Sequence, residues 1–240
     1  MNTTEPRFPT TDWLMLERAA KEPPAGRRLS LDQLLRRYLP VMRQYLQMRR
    51  RVPADQVDDL LQNFVTDRLM GDGLLQRADR SRGKFRSLLL RSLINYQIDV
   101  HRHQQMLDAH LHAVPLSDNT AAPANGDSDP TIHFDRMWAE QAINEALERT
   151  RQRLIATNRA AVWEVLSRRM LDPTSTEPYE TLAPLLGFGS WVRASSALGT
   201  AKRVFARKLR DVLSEYAGEH ADLAEEIRDL KIIFERSRAE

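Results

Sequence analysis

The sequence has no cysteine, which excludes disulfides, zinc fingers of the Cys type and cysteine nucleophiles. Three catalytic motifs are also absent: the phosphate-binding loop G-x-x-x-x-G-K-[ST], the nucleophile elbow G-x-S-x-G and the zinc motif H-E-x-x-H. The clustered histidines straddle the end of a predicted helix and the start of a linker, which does not favour a metal site; they are His101, His103, His110 and His112. We therefore expect a protein that is not an enzyme and holds neither a metal nor a cofactor.

Long apolar runs are missing too. No stretch approaches the roughly 18 residues that a membrane-spanning helix needs. The opening MNTTEPRFPTTDW has no basic segment followed by an apolar one, so it does not have the pattern of a signal peptide. The sequence thus predicts a cytoplasmic protein that does not bind a membrane.

Patterns typical of strands are almost absent, and apolar residues recur at helical spacing, so we predict an all-α fold. At 240 residues the chain is long enough for one or two domains. Pro40 is expected to kink or split the first helix. The predicted helices lie near 30–50, 54–70, 83–108, within 134–170 and 178–186, from Ser190 to about Tyr216, and at 221–235.

Residues 110–133 (HLHAVPLSDNTAAPANGDSDPTIH) are rich in Ala, Pro, Asn, Asp, Ser and Thr and contain no Lys or Arg. This composition is typical of a flexible linker. We therefore predict two helical domains joined by it.

Basic residues concentrate in two stretches. Residues 77–102 contain seven Arg or Lys against Asp79 and Asp99, and residues 191–210 contain six and no acid. Two basic stretches favour two contacts with a polyanion, although solvated helix faces would give the same pattern.

The second basic stretch lies in a short helix, a glycine-containing turn and a longer helix, over residues 178–216. This is the plan of a helix-turn-helix, whose second helix enters the major groove of DNA; an ordinary helical hairpin is the alternative. Core-facing positions are expected to be Ala194, Leu198, Ala201, Phe205 and Leu209. Outward positions suited to bases and phosphates are expected to be Arg193, Ser195, Ser196, Thr200, Lys202 and Arg203.

In the predicted helix 83–108, Phe85 and Tyr96 either belong to the core or stack on unpaired bases. Asn95 and Asp99 lie one turn apart, and an exposed Asn is able to bind a base. The acidic stretch Asp55–Asp67 favours either partner docking or simple stabilisation of a helix N-terminus.

Three segments together resemble the extracytoplasmic-function (ECF) sigma factors of the sigma-70 family: DQVDDLLQNFVTDRL, RGKFRSLLLRSLINYQID and PYETLAPLLGFGS…TAKRVFARKLRDVL. The opening RFPTTDW is similar to the N-terminus of a planctomycete-type group within this family. The resemblance covers about residues 7–216.

The resemblance implies sigma region 2, a bundle of three or four helices, over 29–109, and sigma region 4, a helix-turn-helix domain, over 135–217. Residues 1–28 would be an N-terminal extension, 110–134 the linker and 218–240 a C-terminal amphipathic helix, which we expect to pack on region 4. Residues that would dock on the β′ clamp of core RNA polymerase are Asp58, Asp59, Leu60, Gln62, Asn63 and Phe64.

The resemblance also implies two DNA contacts. The minus-ten element would be recognised and melted by Lys84, Phe85, Arg91, Asn95, Tyr96, Asp99 and Arg102, and the minus-thirty-five element read by the outward residues of the second basic helix. Implied partners are core RNA polymerase (β′ clamp and β flap), promoter DNA, and an anti-sigma factor or a Ser/Thr protein kinase. Two other functions stay open: a helix-turn-helix regulator that binds duplex DNA without polymerase, and an interaction protein that does not bind DNA.

Overall fold

The computed structural model describes residues 13–21, 24–71, 73–79, 85–112, 129–172, 174, 177–217 and 223–236. Throughout these residues the regular structure is helical, which confirms the all-α prediction. None of the helices in this part of the chain is both long and apolar enough to cross a membrane. The chain divides into two compact units, residues 1–139 with 216–240 and residues 140–215.

The first unit is built from α1 (Trp13–Lys21), α2 (Pro24–Met48), α3 (Ala54–Phe64), α4 (Phe85–His112), the beginning of α5 (Pro130–Ala156) and α9 (Leu223–Arg236). A π-helical segment, Val65–Gly71, continues α3. Its core is formed by the apolar sides of these helices, with Tyr38, Met42, Leu46, Phe64 and Leu93 all buried. Burial of such large side chains is the main source of stability in a fold of this kind.

Helix α1 was not predicted from the sequence. Its residues Met15, Leu16 and Ala19 are buried, and the helix packs mainly against α2. These three residues have the spacing of one helical face, so the pattern was present within the segment assigned to an N-terminal extension.

Pro40 does not split α2, which continues as helix to Met48. A proline removes the hydrogen bond to the carbonyl four residues earlier, here that of Arg36. Pro40 and Arg36 are both exposed. Water therefore has access to the carbonyl left without an amide donor, and the cost of the proline is reduced.

The second unit contains the remainder of α5, α6 (Ala160–Leu166), α7 (Tyr179–Leu185) and most of α8 (Trp191–Ala217). A π-helical segment, Ser167–Leu171, continues α6. Leu154, Leu166 and Ala201 form a buried cluster. The stretch predicted as helical over 134–170 is two helices, because the chain turns at Thr157–Arg159, where Asn158 has a φ of 57°. Asn tolerates this left-handed conformation better than most residues.

The units do not divide where the sequence suggested. Pro130–Ala139 belongs to the first unit, where Phe134 and Trp138 are fully buried, so the division falls inside α5 rather than before residue 135. Residues 113–128 of the predicted linker lie outside the described residues. The C-terminal helix α9, which we expected to pack on the second domain, groups with the first unit and buries Leu230 and Ile233. An apolar stripe predicts burial but does not specify the surface that covers it.

Candidate nucleic-acid interface

Helix α3 has one apolar and one acidic face. Its apolar residues Val57, Leu60, Leu61 and Phe64 are buried, at the spacing of a single helical stripe. Of the predicted docking residues, those exposed to solvent are Asp58, Asp59, Gln62 and Asn63. Leu60 and Phe64 were wrongly assigned to the docking surface: they are 9% and 0% exposed because they belong to the core stripe.

The acidic face of α3 is only partly neutralised. Asp58 forms an ion pair with Arg43 of α2, and both side chains are about half exposed. Exposed ion pairs contribute little stability, so a partner could displace this one at low cost. Asp59 has no ion-pair partner among the described residues. The face therefore presents carboxylates and amides suited to a cationic protein surface.

The two aromatic residues predicted to contact the minus-ten element are in the core. Phe85 is 1% exposed, and its ring meets that of Tyr38 edge-on with 5.8 Å between centroids. Tyr96 is 7% exposed, and its ring contacts Phe64 edge-on. Neither ring has an exposed face on which a base could stack, so the structure favours the core alternative that the sequence left open for both residues.

The hydroxyl of Tyr96 donates a hydrogen bond to Oδ2 of Asp67 at 2.7 Å. Burial, reinforced by the Asp67 carboxylate, raises the pKa of Tyr96 to about 12. The guanidinium of Arg68 lies over the same ring, 5.5 Å from its centroid, and also contacts Oδ2 of Asp99 at 3.3 Å. These contacts fix α4 against the end of α3.

Four of the predicted residues of α4 form an exposed polar row: Arg91, Asn95, Asp99 and Arg102. Their spacing of four, four and three residues places them on one helical face. Lys84 lies outside the described residues. The row combines two guanidiniums with an amide, groups that bind phosphates and base edges.

Arg86 is not part of the basic surface, although it lies within the first basic stretch. Its side chain is fully buried, paired with Asp135, and lies 4.6 Å from the ring centroid of Trp138. Arg77, Arg91 and Arg102 are exposed, whereas Arg80, Arg82 and Lys84 lie outside the described residues. Fewer exposed basic side chains are therefore described on this stretch than the seven Arg and Lys residues that the sequence contains there.

In the second unit, α7, a turn and α8 form the predicted short helix, turn and long helix. Gly187 has a φ of 75° in the turn, a conformation that favours glycine. Ser190 caps α8, since its hydroxyl accepts a hydrogen bond from the backbone N–H of Arg193 at 3.4 Å. Pro178 immediately precedes α7 rather than being its first residue, and Pro184 lies next to the last residue of that helix.

Helix α8 buries the side that was predicted to face the core. Ala194 and Ala201 are fully buried, and Leu198 packs against the core cluster. Among the predicted DNA contacts, Arg193, Ser196, Lys202 and Arg203 are exposed and Ser195 and Thr200 are half-buried. Nη2 of Arg203 donates a hydrogen bond to Oγ1 of Thr200 at 3.1 Å. Cations and small hydroxyls therefore share the solvent side of this helix.

Two apolar residues at the beginning of α8 were missed. Trp191 and Val192 are 53% and 52% exposed, next to exposed Arg193. Large apolar side chains are usually buried, so Trp191 and Val192 were not considered as surface residues. Both follow the N-cap Ser190 directly and precede Ala194, where the core stripe begins, and this position was the signal that could have identified them. In a helix-turn-helix, the first residues of the second helix contact base edges.

No family model, curated protein or solved structure matches this chain. Its function is therefore indicated by three surfaces: the acidic face of α3, the polar row of α4 and the cationic side of α8.

Proposed function

We propose that the chain is an ECF-type sigma factor that binds core RNA polymerase, recognises and melts promoter DNA, and directs the start of transcription. The observation that carries the proposal is the pair of polar faces on the first unit. Asp59 and Gln62 of α3 are exposed above a buried stripe, and so are Arg91 and Asn95 of α4. An acidic face and an amide-guanidinium face on neighbouring helices suit a protein partner and a nucleic acid, respectively.

The acidic face of α3 would dock on the β′ clamp of the polymerase. Complementary charge increases the rate and the specificity of such an association. The β flap is the further polymerase contact that the resemblance implies for the second unit. An anti-sigma factor or a Ser/Thr protein kinase stays a prediction, since none of the described surfaces distinguishes either of them.

The polar row of α4 would hold the opened strand of the minus-ten element. Extruding a base costs a few kcal/mol, and the buried rings of Phe85 and Tyr96 offer no stacking to compensate for it. Capture would therefore depend on Asn95, whose amide is able to pair with a base edge, and on Arg91 and Arg102 at phosphates. No bond is made or broken by the chain itself, because the polymerase performs the synthesis.

The exposed side of α8 would read the minus-thirty-five element in the major groove. Arg193 lies in the first turn and would contact a base edge, while Lys202 and Arg203 lie further along the helix and would contact phosphates. Because phosphate contacts release counterions, the affinity of this unit for DNA is expected to fall steeply with salt.

Reconstituted transcription tests the proposal. Purified chain and core RNA polymerase are incubated with a library of genomic fragments, and the 5′ ends of the transcripts are mapped. We expect starts that share two upstream elements and that core polymerase alone does not produce. Absence of initiation above core alone on every fragment would overturn the proposal.

Asn95→Ala tests the role given to α4. Permanganate reactivity of unpaired thymines should fall in the reconstituted complex, while binding to core polymerase stays unchanged. Gln33→Ala, which removes another exposed amide from α2, is the matched control. Equal loss of strand opening and of core binding would contradict the assignment.

The exposed cations of α8 also fit the alternative of a helix-turn-helix regulator that acts without polymerase. A gel shift with the chain alone separates the two functions. Sequence-specific retention of duplex DNA by the free protein, together with no initiation in the reconstituted assay, would favour the regulator.

A further inference from the structure

The second unit contains a cavity of about 340 Å³ between the end of α5, the turn that follows it and the middle of α8. It is lined by Arg153, Leu154, Thr157, Arg159, Val204 and Arg207. The turn fixes this arrangement. The backbone N–H of Arg159 donates to the carbonyl of Leu154 at 2.8 Å, and the hydroxyl of Thr157 donates to the carbonyl of Arg153 at 2.8 Å.

The charge of the cavity is unbalanced. Three guanidinium groups line it, and its lining includes no carboxylate. Other arginines of this unit are neutralised: Arg149 by Glu145 and Glu215, and Arg151 by Glu148. Arg153, Arg159 and Arg207 form no ion pair with the residues that the structure describes, and all three are exposed. Like charges held close together repel one another, so an anion would relieve the repulsion on entering.

The floor of the cavity is apolar. Leu154 is 1% exposed and belongs to the core cluster, so the apolar surface that a ligand can reach is that of Val204, which packs against this cluster. A recess of a few hundred Å³ with an apolar floor and a few converging polar groups is typical of a small-molecule site. The cationic rim specifies an anionic group on that molecule, and the floor specifies an apolar or aromatic part.

We propose that this cavity binds a nucleoside di- or triphosphate, with the guanidiniums on phosphate oxygens and the base against Val204. Arginine presents paired N–H donors that match phosphate geometry, and three of them suit more than one phosphate group. This inference does not depend on the sigma-factor function.

The phosphates of bound DNA are a different source of the same anion. Arg207 lies 14 residues beyond Arg193 on α8, about 21 Å along the helix axis at a rise of about 1.5 Å per residue. The major groove is about 12 Å wide. Arg207 is therefore farther from Arg193 than one groove width, and the other two arginines of the cavity, Arg153 and Arg159, lie outside α8, an arrangement that favours a free nucleotide over a duplex backbone.

Isothermal titration of the full chain with ADP, ATP, GDP, GTP and inorganic phosphate tests the proposal. We expect at least one nucleotide to bind about tenfold or more tightly than inorganic phosphate, because the floor contributes apolar contact. In backbone amide NMR spectra of the unaltered chain, the same nucleotide should shift the signals of Thr157 and Arg159. Lack of binding by all four nucleotides at millimolar concentration would overturn the proposal.

The variant Arg159→Gln/Arg207→Gln should weaken nucleotide binding about tenfold or more, since it removes two charge-assisted contacts. The control, Arg151→Gln, removes an arginine that is paired on the exposed side of α5 and should change affinity less than about twofold. Equal loss in both variants, or unchanged binding in the double variant, would contradict the site. If the double variant instead lowers affinity for a duplex and the nucleotides do not bind, the cavity is a DNA backbone contact and the proposal is wrong.

Discussion

Arg86 of α4 and Asp135 of α5 form a buried, two-point ion pair. Nε of Arg86 donates to Oδ1 of Asp135 at 2.5 Å, and Nη2 donates to Oδ2 at 3.1 Å. The arginine side chain is 0% exposed and that of the aspartate 14%. The pair therefore attaches the beginning of α5 to the core of the first unit.

Asp135→Ala should destabilise the first unit by about 3–5 kcal/mol, because it leaves the buried guanidinium of Arg86 without its carboxylate. Urea unfolding followed by circular dichroism measures the change. Glu148→Ala, which breaks the exposed pair with Arg151, should cost no more than about 1 kcal/mol. A loss for Asp135→Ala as small as that of the control would show that the pair is not important for stability.

The raised pKa of Tyr96 predicts a dependence of stability on alkaline pH. An unfolded tyrosine ionises near pH 10, whereas burial and Asp67 raise the pKa of the folded residue to about 12. The contribution of Tyr96 is therefore fully present below pH 10 and is lost as the pH rises from about 10 to about 12. Tyrosinate absorbance, compared between the unaltered chain and Tyr96→Phe, measures this titration.

Asp67→Asn should lower the pKa of Tyr96 toward its ordinary value, since the amide still accepts the hydrogen bond but no longer opposes a phenolate with negative charge. The stability loss should then begin at lower pH. An unchanged tyrosinate titration in Asp67→Asn would contradict the role given to the carboxylate.

Local patterns predicted the helices well, and contacts between distant parts of the chain explain what they missed. Val57, Leu60, Leu61 and Phe64 recur at helical spacing in the sequence and form the buried stripe of α3, because a helical face depends only on neighbours three and four residues apart. The burial of Arg86 depends on Asp135, which lies 49 residues later. A count of basic residues assigned Arg86 to the surface, since the count contains no information about that partner.

In the candidate site, too, local patterns predicted some features, and contacts between distant parts of the chain decided the others. Arg193 was predicted to face outward from the helical period, and both Arg193 and Asn95 are exposed. Phe85 and Tyr96 have the aromatic character of a base-stacking surface, but their packing against Tyr38 and Phe64 decides their burial. The three-arginine cavity depends on the approach of α8 to the turn after α5, which no short segment of sequence encodes.

Replacing Asp58 and Asp59 by Lys should weaken binding to core RNA polymerase by about tenfold or more, because like charge would then face a cationic docking surface. Both residues are exposed, so the fold should tolerate the change. Surface plasmon resonance with immobilised core polymerase, at two salt concentrations, measures the effect and its screening.

The matched control for this double variant is Glu17→Lys on α1 combined with Asp32→Lys on α2, which changes the net charge by the same amount at two exposed acids. Asp32 is also an exposed aspartate in an ion pair, with Arg36, and its side chain is 55% exposed compared with 59% for Asp58. Core affinity should be nearly unchanged by the control. Equal effects of the two changes would assign the loss to net charge rather than to the acidic face of α3.

Trp191→Ala should alter which duplexes the reconstituted polymerase complex selects, while leaving the fold intact. The ring is 53% exposed, so its removal should change the free energy of unfolding by less than about 0.5 kcal/mol. An apolar side chain at the start of the second helix is placed to contact a thymine methyl group, and loss of one base-pair preference corresponds to about 1–3 kcal/mol. Selection from a library randomised in the minus-thirty-five element reads out the change.

Ile155→Ala, at a residue 50% exposed near the end of α5, is the control. Identical base preferences in the unaltered chain and in Trp191→Ala would show that Trp191 does not contact the bases.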